Sequence, residues 1–179
     1  MALEALANAL PAYAADIAQN VASLLEETWL TDQQKWGCFV ASAHAVATPA
    51  VVQAIEAAAA QGGLSDAAKA AARGAAAIMA QNNVYFSAVQ LLTNQEYRRL
   101  RTRLRMRITS NPGVELVDFH LWCVAVSAIH HCGDCLDAHE GALKQRGVAP
   151  EAVQAAMRIA AVTHALSRIF AGEAAAKSP

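Results

Sequence analysis

The sequence predicts an all-α protein with a duplicated helical fold, in which two pseudo-equivalent helical halves share one core. Three observations carry this expectation. Alanine is abundant, and apolar residues recur with the 3.6-residue period of a helix. Almost no stretch alternates apolar and polar residues as a half-buried strand does. The chain also matches itself without gaps at an offset of 85 residues, with Cys38 on Cys123, Ser42 on Ser127, Gly62 on Gly147 and Arg73 on Arg158. Alanine identities mean little in so Ala-rich a chain, whereas these four pairs point to a duplication.

The elements follow in order. Leu3 to about Leu25 reads as one helical stretch broken by Pro11. Thr31-Asp32-Gln33-Gln34 has the form of a capping box and opens a helix running to about Ala47. Pro49 opens the next, ended near Gly62-Gly63, and Ser65 caps another that extends to about Asn82. In the second copy Asn111-Pro112-Gly113 is a turn and Glu115 to about His131 a helix. The helix opened by Cys132 closes at Gly147, and Pro150 starts the last long one. Each half is too small and too apolar to fold well alone.

At 179 residues, 55% hydrophobic and 16% charged, the chain has the means to fill one compact core. A formal charge of -1 argues against a polyanion binder. No uninterrupted apolar run approaches the ~20 residues that span a bilayer. Met1-Ala2-Leu3-Glu4 lacks the positive start of a signal peptide, so a cytoplasmic, reducing location is expected. There a CxxC pair is catalytic or metal-binding more often than structural.

Cys132-Gly133-Asp134-Cys135 is that pair. Thiols at i and i+3 share one helical face at a separation suited to a bridge, and His139 falls on the same face one turn beyond Cys135. At the offset of 85 the first copy carries Ala47, Ala50 and Ala54 at these positions, so folding does not require the three residues. Near a helix N-terminus a thiolate is favoured, and His139 is placed to take the Cys135 proton. Cys135 is then the residue that attacks a hydroperoxide and Cys132 the resolving one. The usual CxxC exchange logic, in which the first cysteine attacks, reverses those roles. Cys38 and Cys123 lie among apolar neighbours and read as inert packing residues.

Leu10-Pro11-Ala12-Tyr13-Ala14, Ala75-Ala76-Ala77-Ile78-Met79, Asn82-Asn83-Val84, Leu104-Arg105-Met106, Asn111-Pro112-Gly113 and above all the stretch from Phe119 to Glu140 resemble the AhpD family. These are the alkyl hydroperoxidase members of the carboxymuconolactone decarboxylase-like group. The resemblance implies a single AhpD-like domain over 1–179, with a non-catalytic half at about 1–90 and a catalytic half at about 110–179. It implies reduction of organic hydroperoxides through the CxxC, with no resident cofactor. Dihydrolipoamide on a lipoyl-bearing acyltransferase domain is the implied electron donor, the peroxiredoxin AhpC an implied partner, and a homotrimer the implied assembly. The family's cysteines and histidine correspond to Cys132, Cys135 and His139.

Two positions depart from the family. His120 stands where the proton relay has a glutamate, and Asp134 where some members have histidine. An imidazole relays protons only while neutral, so activity is expected to fall near the ordinary histidine pKa of ~6.5, and His120→Glu to extend it to lower pH. Asp134 opposes the thiolates, while His130 and His131 are placed to return positive charge. The plainer alternatives are a polar core role for His120, a solvated helix end for His130 and packing for His164.

Two other functions compete. His120, His131, Cys132, Cys135 and His139 offer enough nitrogen and sulfur for zinc, although i and i+3 thiols splay poorly for tetrahedral closure. A general thiol–disulfide oxidoreductase needs only the cysteines. A decarboxylase of the wider group is disfavoured by the intact CxxC. Arg98 to Arg107 holds six of the fourteen basic residues. It reads first as a solvated connection or subunit contact and second as a docking patch for an acidic partner. Without interleaved aromatics it is a poor nucleic-acid site.

Overall fold

The computed structural model describes residues 1–177, among which there are α-helices, short 3-10 turns and no strand. The helices are α1 (Ala2–Asn8), α2 (Ala15–Leu25), α3 (Asp32–Val46), α4 (Pro49–Gln61), α5 (Asp66–Leu91), α6 (Leu116–Ile129), α7 (Gly133–Gln145) and α8 (Pro150–Ala176). Pro11 separates α1 from α2, as its missing N–H and fixed φ require. The Thr31 box is complete: Gln34 N–H donates to Thr31 Oγ1 at 3.2 Å, and Thr31 N–H donates to Gln34 Oε1 at 3.1 Å. Ser65 Oγ accepts from Ala68 N–H at 3.2 Å and caps α5.

One helix runs longer than the sequence suggested. The Asn82-Asn83 pair reads as a helix end, yet α5 continues to Leu91. Asparagine weakens helices by bonding nearby backbone. Here both residues are buried, and Asn83 spends its amide on Ser127 and His130 across the helix interface. With the competing acceptor withdrawn, the helix has no local reason to stop.

The duplication is real, but its register differs from the ungapped match. Helices α3, α4 and α5 begin at Asp32, Pro49 and Asp66; α6, α7 and α8 begin at Leu116, Gly133 and Pro150, 84 residues later each time. The buried residues of α5 from Ala68 to Asn83 recur in α8 from Ala152 to Ser167 at that same spacing. The counterparts of Cys132, Cys135 and His139 are therefore Thr48, Val51 and Ile55, not Ala47, Ala50 and Ala54. Val51 and Ile55 are fully buried. The first copy fills the positions of Cys135 and His139 with core hydrophobes and that of Cys132 with a half-buried threonine, and has neither thiol nor base.

Helices α3 and α6 form the centre. Lys35 to Ala43 are all buried, as are Leu121 to Ser127, so each helix is covered on every side. α3 packs on α5, α6 and α8, and α6 packs on α5, α7 and α8, so one core joins the two halves. Gly37 permits the closest approach: a Cβ there would lie 2.1 Å from Trp122 Cε2. The Trp122 indole N–H donates to the Gln34 carbonyl at 3.2 Å. Asp118, buried in the first turn of α6, accepts from the side-chain amides of Gln33 at 2.7 Å and Gln34 at 2.9 Å. These contacts hold α6, which carries His120, against α3.

Candidate active site

Helix α7 is entered through Cys132, its N-cap residue, after a sharp turn in which His131 takes a left-handed φ of 56°. Cys135 lies in the first turn, and a disulfide joins it to Cys132 across a Cα separation of 5.3 Å. Cys132 is 0% exposed and Cys135 5% exposed. Of the two, only Cys135 reaches a cavity of about 510 Å³. His139, 9% exposed, and His120 open on the same cavity. Met79 and Phe86 of α5, with Met106 and Ala138, supply its apolar wall.

The two imidazoles meet directly, with His120 Nδ1 at 2.9 Å from His139 Nδ1. Such a contact needs one nitrogen protonated and the other not. Burial, and then the charge of His120, lowers the pKa of His139 to about 4. Burial lowers that of His120 too, with a further contribution from Arg146. At neutral pH the pair is therefore uncharged and shares a single hydrogen between its Nδ1 atoms. The sequence placed His120 in a relay by family position; geometrically it does touch His139.

The other histidines are elsewhere. His130, the C-cap residue of α6, is held on α5 outside the thiol cavity, where the Asn83 amide donates to its Nδ1 at 3.0 Å. Burial lowers its pKa, so it does not return the positive charge expected of it. His131 is exposed and shares a separate cavity of about 270 Å³ with Met157 and His164, so it does not join His120. Among the described residues no three His, Cys, Asp or Glu side chains converge to hold a metal ion, which leaves the zinc ligand set unassembled. Cys38 and Cys123 are fully buried, and burial pushes both thiols far up, away from the reactive range.

Met79, Asn82, Phe86, Met106 and Thr109 line the thiol cavity and were not singled out by residue chemistry. All but Phe86 and Thr109 fall inside stretches that carry the family resemblance, and that was the available signal.

Residues 95–178 match the carboxymuconolactone decarboxylase family. The chain is 53% identical over 175 residues to the alkyl hydroperoxide reductase AhpD of Hyphomonas neptunium, covering 98% of this chain and 97% of that protein. It is 51% identical over 173 residues to the protein of that name from Maricaulis maris, with 97% and 99% covered. The Caulobacter vibrioides protein is 50% identical over 175 residues, with 98% and 96% covered.

Proposed function

This chain belongs to the AhpD family of alkyl hydroperoxide reductases, and on that premise we propose that it is an antioxidant peroxidase reducing organic hydroperoxides through a Cys132–Cys135 dithiol–disulfide cycle. The observation that carries the reading is the joint opening of Cys135, His139 and His120 on one largely apolar cavity, with Cys132 bridged behind Cys135.

In the reduced enzyme neutral His139 takes the Cys135 proton through Nε2. For this its Nδ1 carries the hydrogen donated to His120 Nδ1. The thiolate attacks the terminal peroxide oxygen, the O–O bond breaks, and the departing alkoxide takes the proton back as an alcohol. Cys135 is left as a sulfenic acid. The Cys132 thiol attacks it, water departs, and the disulfide forms. The apolar wall of Met79, Phe86 and Met106 suits the organic part of the peroxide.

Re-reduction needs a dithiol. A dihydrolipoyl domain supplies two electrons and two protons by exchange through a mixed disulfide at Cys135, the cysteine that lines the cavity. Cys132 suits the leaving role because its N-cap position lies beside the free N–H groups of the first turn. Transfer onward to the peroxiredoxin AhpC, a homotrimeric assembly and a cytoplasmic setting complete the proposal. Among the described residues no helix is long and apolar enough to cross a membrane.

The test is peroxide-dependent oxidation of a dihydrolipoyl domain by wild type and by Cys135→Ser. Turnover by wild type alone supports the reading. Equal turnover by both proteins removes it.

A further inference from the structure

Between α5 and α6 the chain runs along the thiol cavity and the one adjoining it as a strap. From Leu100 to Met106 it forms neither helix nor strand, and its exposure alternates. Arg101, Arg103, Arg105 and Arg107 are exposed, while Thr102, Leu104 and Met106 between them are half-buried. The inner side chains have defined seats. Met106 lines the thiol cavity, and Thr102 lines an adjoining one of about 190 Å³, at whose edge Leu100 stays exposed. The two cavities share Phe86 and Asp134. Ile108 presses on Gly74 of α5, where a Cβ would meet it at 2.5 Å. The strap is anchored by its apolar side and turns its arginines outward.

None of the six arginines from Arg98 to Arg107 is paired with a carboxylate among the described residues; the ion pairs there involve other groups. The segment contains no acidic residue. Outside it stand eight basic against fifteen acidic residues, a balance of -7, so the strap is a cationic row on an otherwise anionic molecule.

We propose that the outer face of residues 98–107 docks the protein that re-reduces the Cys132–Cys135 disulfide, and that this protein presents an acidic surface around its dithiol. The inference rests on the thiol cycle proposed above and names the surface that serves it. The disulfide lies behind the cavity mouth, so a donor protein must extend its dithiol inward on a thin arm while its body rests on the rim. The strap, through Met106, forms part of that rim. The six arginines are spread over ten residues with a left-handed turn at Arg103 (φ 52°), more separate cations than one small anion engages. Of the six, Arg98 lines the adjoining cavity and none lines the thiol cavity itself. A nucleic acid would meet the -7 remainder of the molecule and no stacking side chain within the row.

The exchange is balanced. The donor's two thiols become its disulfide, and Cys132 and Cys135 gain two electrons and two protons.

The test uses the full chain with Arg101, Arg103 and Arg105 changed together to Gln, or together to Lys. Three reactions are followed: oxidation of the reduced protein by cumene hydroperoxide, reduction of its disulfide by dithiothreitol, and reduction by a dihydrolipoyl acyltransferase domain at rising salt. The Gln variant is expected to lose on the order of tenfold in kcat/KM with the domain and to show a flatter salt dependence. Its reactions with peroxide and dithiothreitol stay unchanged, and the Lys variant keeps most of the wild-type salt dependence. Unchanged kinetics of the Gln variant with the domain overturn the proposal alone. A Gln variant slowed with cumene hydroperoxide assigns the row to substrate and overturns it. So does a change of sedimentation with equal loss in all three reactions, or oligonucleotide binding lost in the variant while its kinetics with the domain persist. Wild-type disulfide opened by dithiothreitol but not by the domain overturns the donor assignment and the docking surface with it. Failure of peroxide to oxidise the wild-type pair overturns the thiol cycle itself.

Discussion

His120 of α6 and His139 of α7 are joined Nδ1 to Nδ1 at 2.9 Å, so the two rings share one hydrogen and their protonation states are linked. Neither ring accepts a second Nδ1 proton without breaking the contact. The pair passes a proton from the cavity side of one ring to the far nitrogen of the other only if it starts neutral. Burial of both rings secures that starting state.

The pH dependence follows with a definite sign. The base must be neutral, and both folded-state pKa values lie below the ordinary histidine value, that of His139 at about 4. Activity is therefore held as pH falls through ~6.5 and lost further down, toward the His139 value. This replaces the sequence expectation of a loss near ~6.5. It also reverses the expectation for His120→Glu: a carboxylate facing His139 favours the imidazolium, so the acidic limb moves up instead of down. His120→Ala removes the acceptor and should slow turnover on the order of 10²-fold. Single-turnover rates with cumene hydroperoxide across pH 4 to 9 check all three, and superimposable profiles would remove His120 from the relay.

Peroxide is expected to oxidise Cys132 and Cys135 while Cys38 and Cys123 stay reduced. The first pair is already at bridging distance, and the second pair is fully buried with thiols pushed up by burial. Peptide mapping after alkylation gives the answer, and a dominant adduct on Cys38 or Cys123 contradicts it.

Cys135→Ser should abolish peroxide consumption, whereas Cys132→Ser should complete one sulfenic acid at Cys135 and stop. The cavity reaches Cys135 and His139 but not Cys132, which is 0% exposed. Dimedone trapping followed by mass spectrometry reads the sulfenate. A sulfenate on Cys132 in Cys135→Ser would exchange the two roles.

Much of this was legible in the sequence, for physical reasons that differ by element. Thr31, Pro49, Ser65 and Pro150 announce helix starts through groups that act locally, and the structure has helices there. The thiol pair and His139 lie within one helix, so spacing alone brings them together. The His120–His139 contact joins two helices, and no periodicity foretells it; family position did. The repeat register slipped by one residue because Cys38, Ser42, Gly62 and Arg73 each meet an identical residue at 85, whereas the helix starts, the buried positions and the left-handed Gly63 and Gly147 repeat at 84. Asn82-Asn83 misled because the partners that occupy Asn83, Ser127 and His130, lie more than forty positions away. The cavity lining is assembled from α5, the strap, α6 and α7, which no local pattern links.

The last prediction contrasts two glycines. A Cβ at Gly37 would lie 2.1 Å from Trp122 Cε2, and Trp122 is fully buried with its N–H bonded to the Gln34 carbonyl, so neither ring nor backbone has room to retreat. Gly37→Ala then forces α3 and α6 apart at about 2 kcal/mol or more, as overpacking of a filled core does. For a chain of this length that lowers Tm by roughly 4–8 °C. The same shift moves α6, which carries His120, so the proton relay should weaken together with stability. Gly141, inside α7, meets nothing within 4 Å of an added Cβ. Gly141→Ala should stabilise by about 0.5–1 kcal/mol, because alanine lowers the backbone entropy of the unfolded chain. Thermal denaturation of both variants, beside peroxide single-turnover rates, tests the pair. A Gly37→Ala protein as stable as wild type would mean that the contact of α3 with α6 gives way more easily than its packing implies.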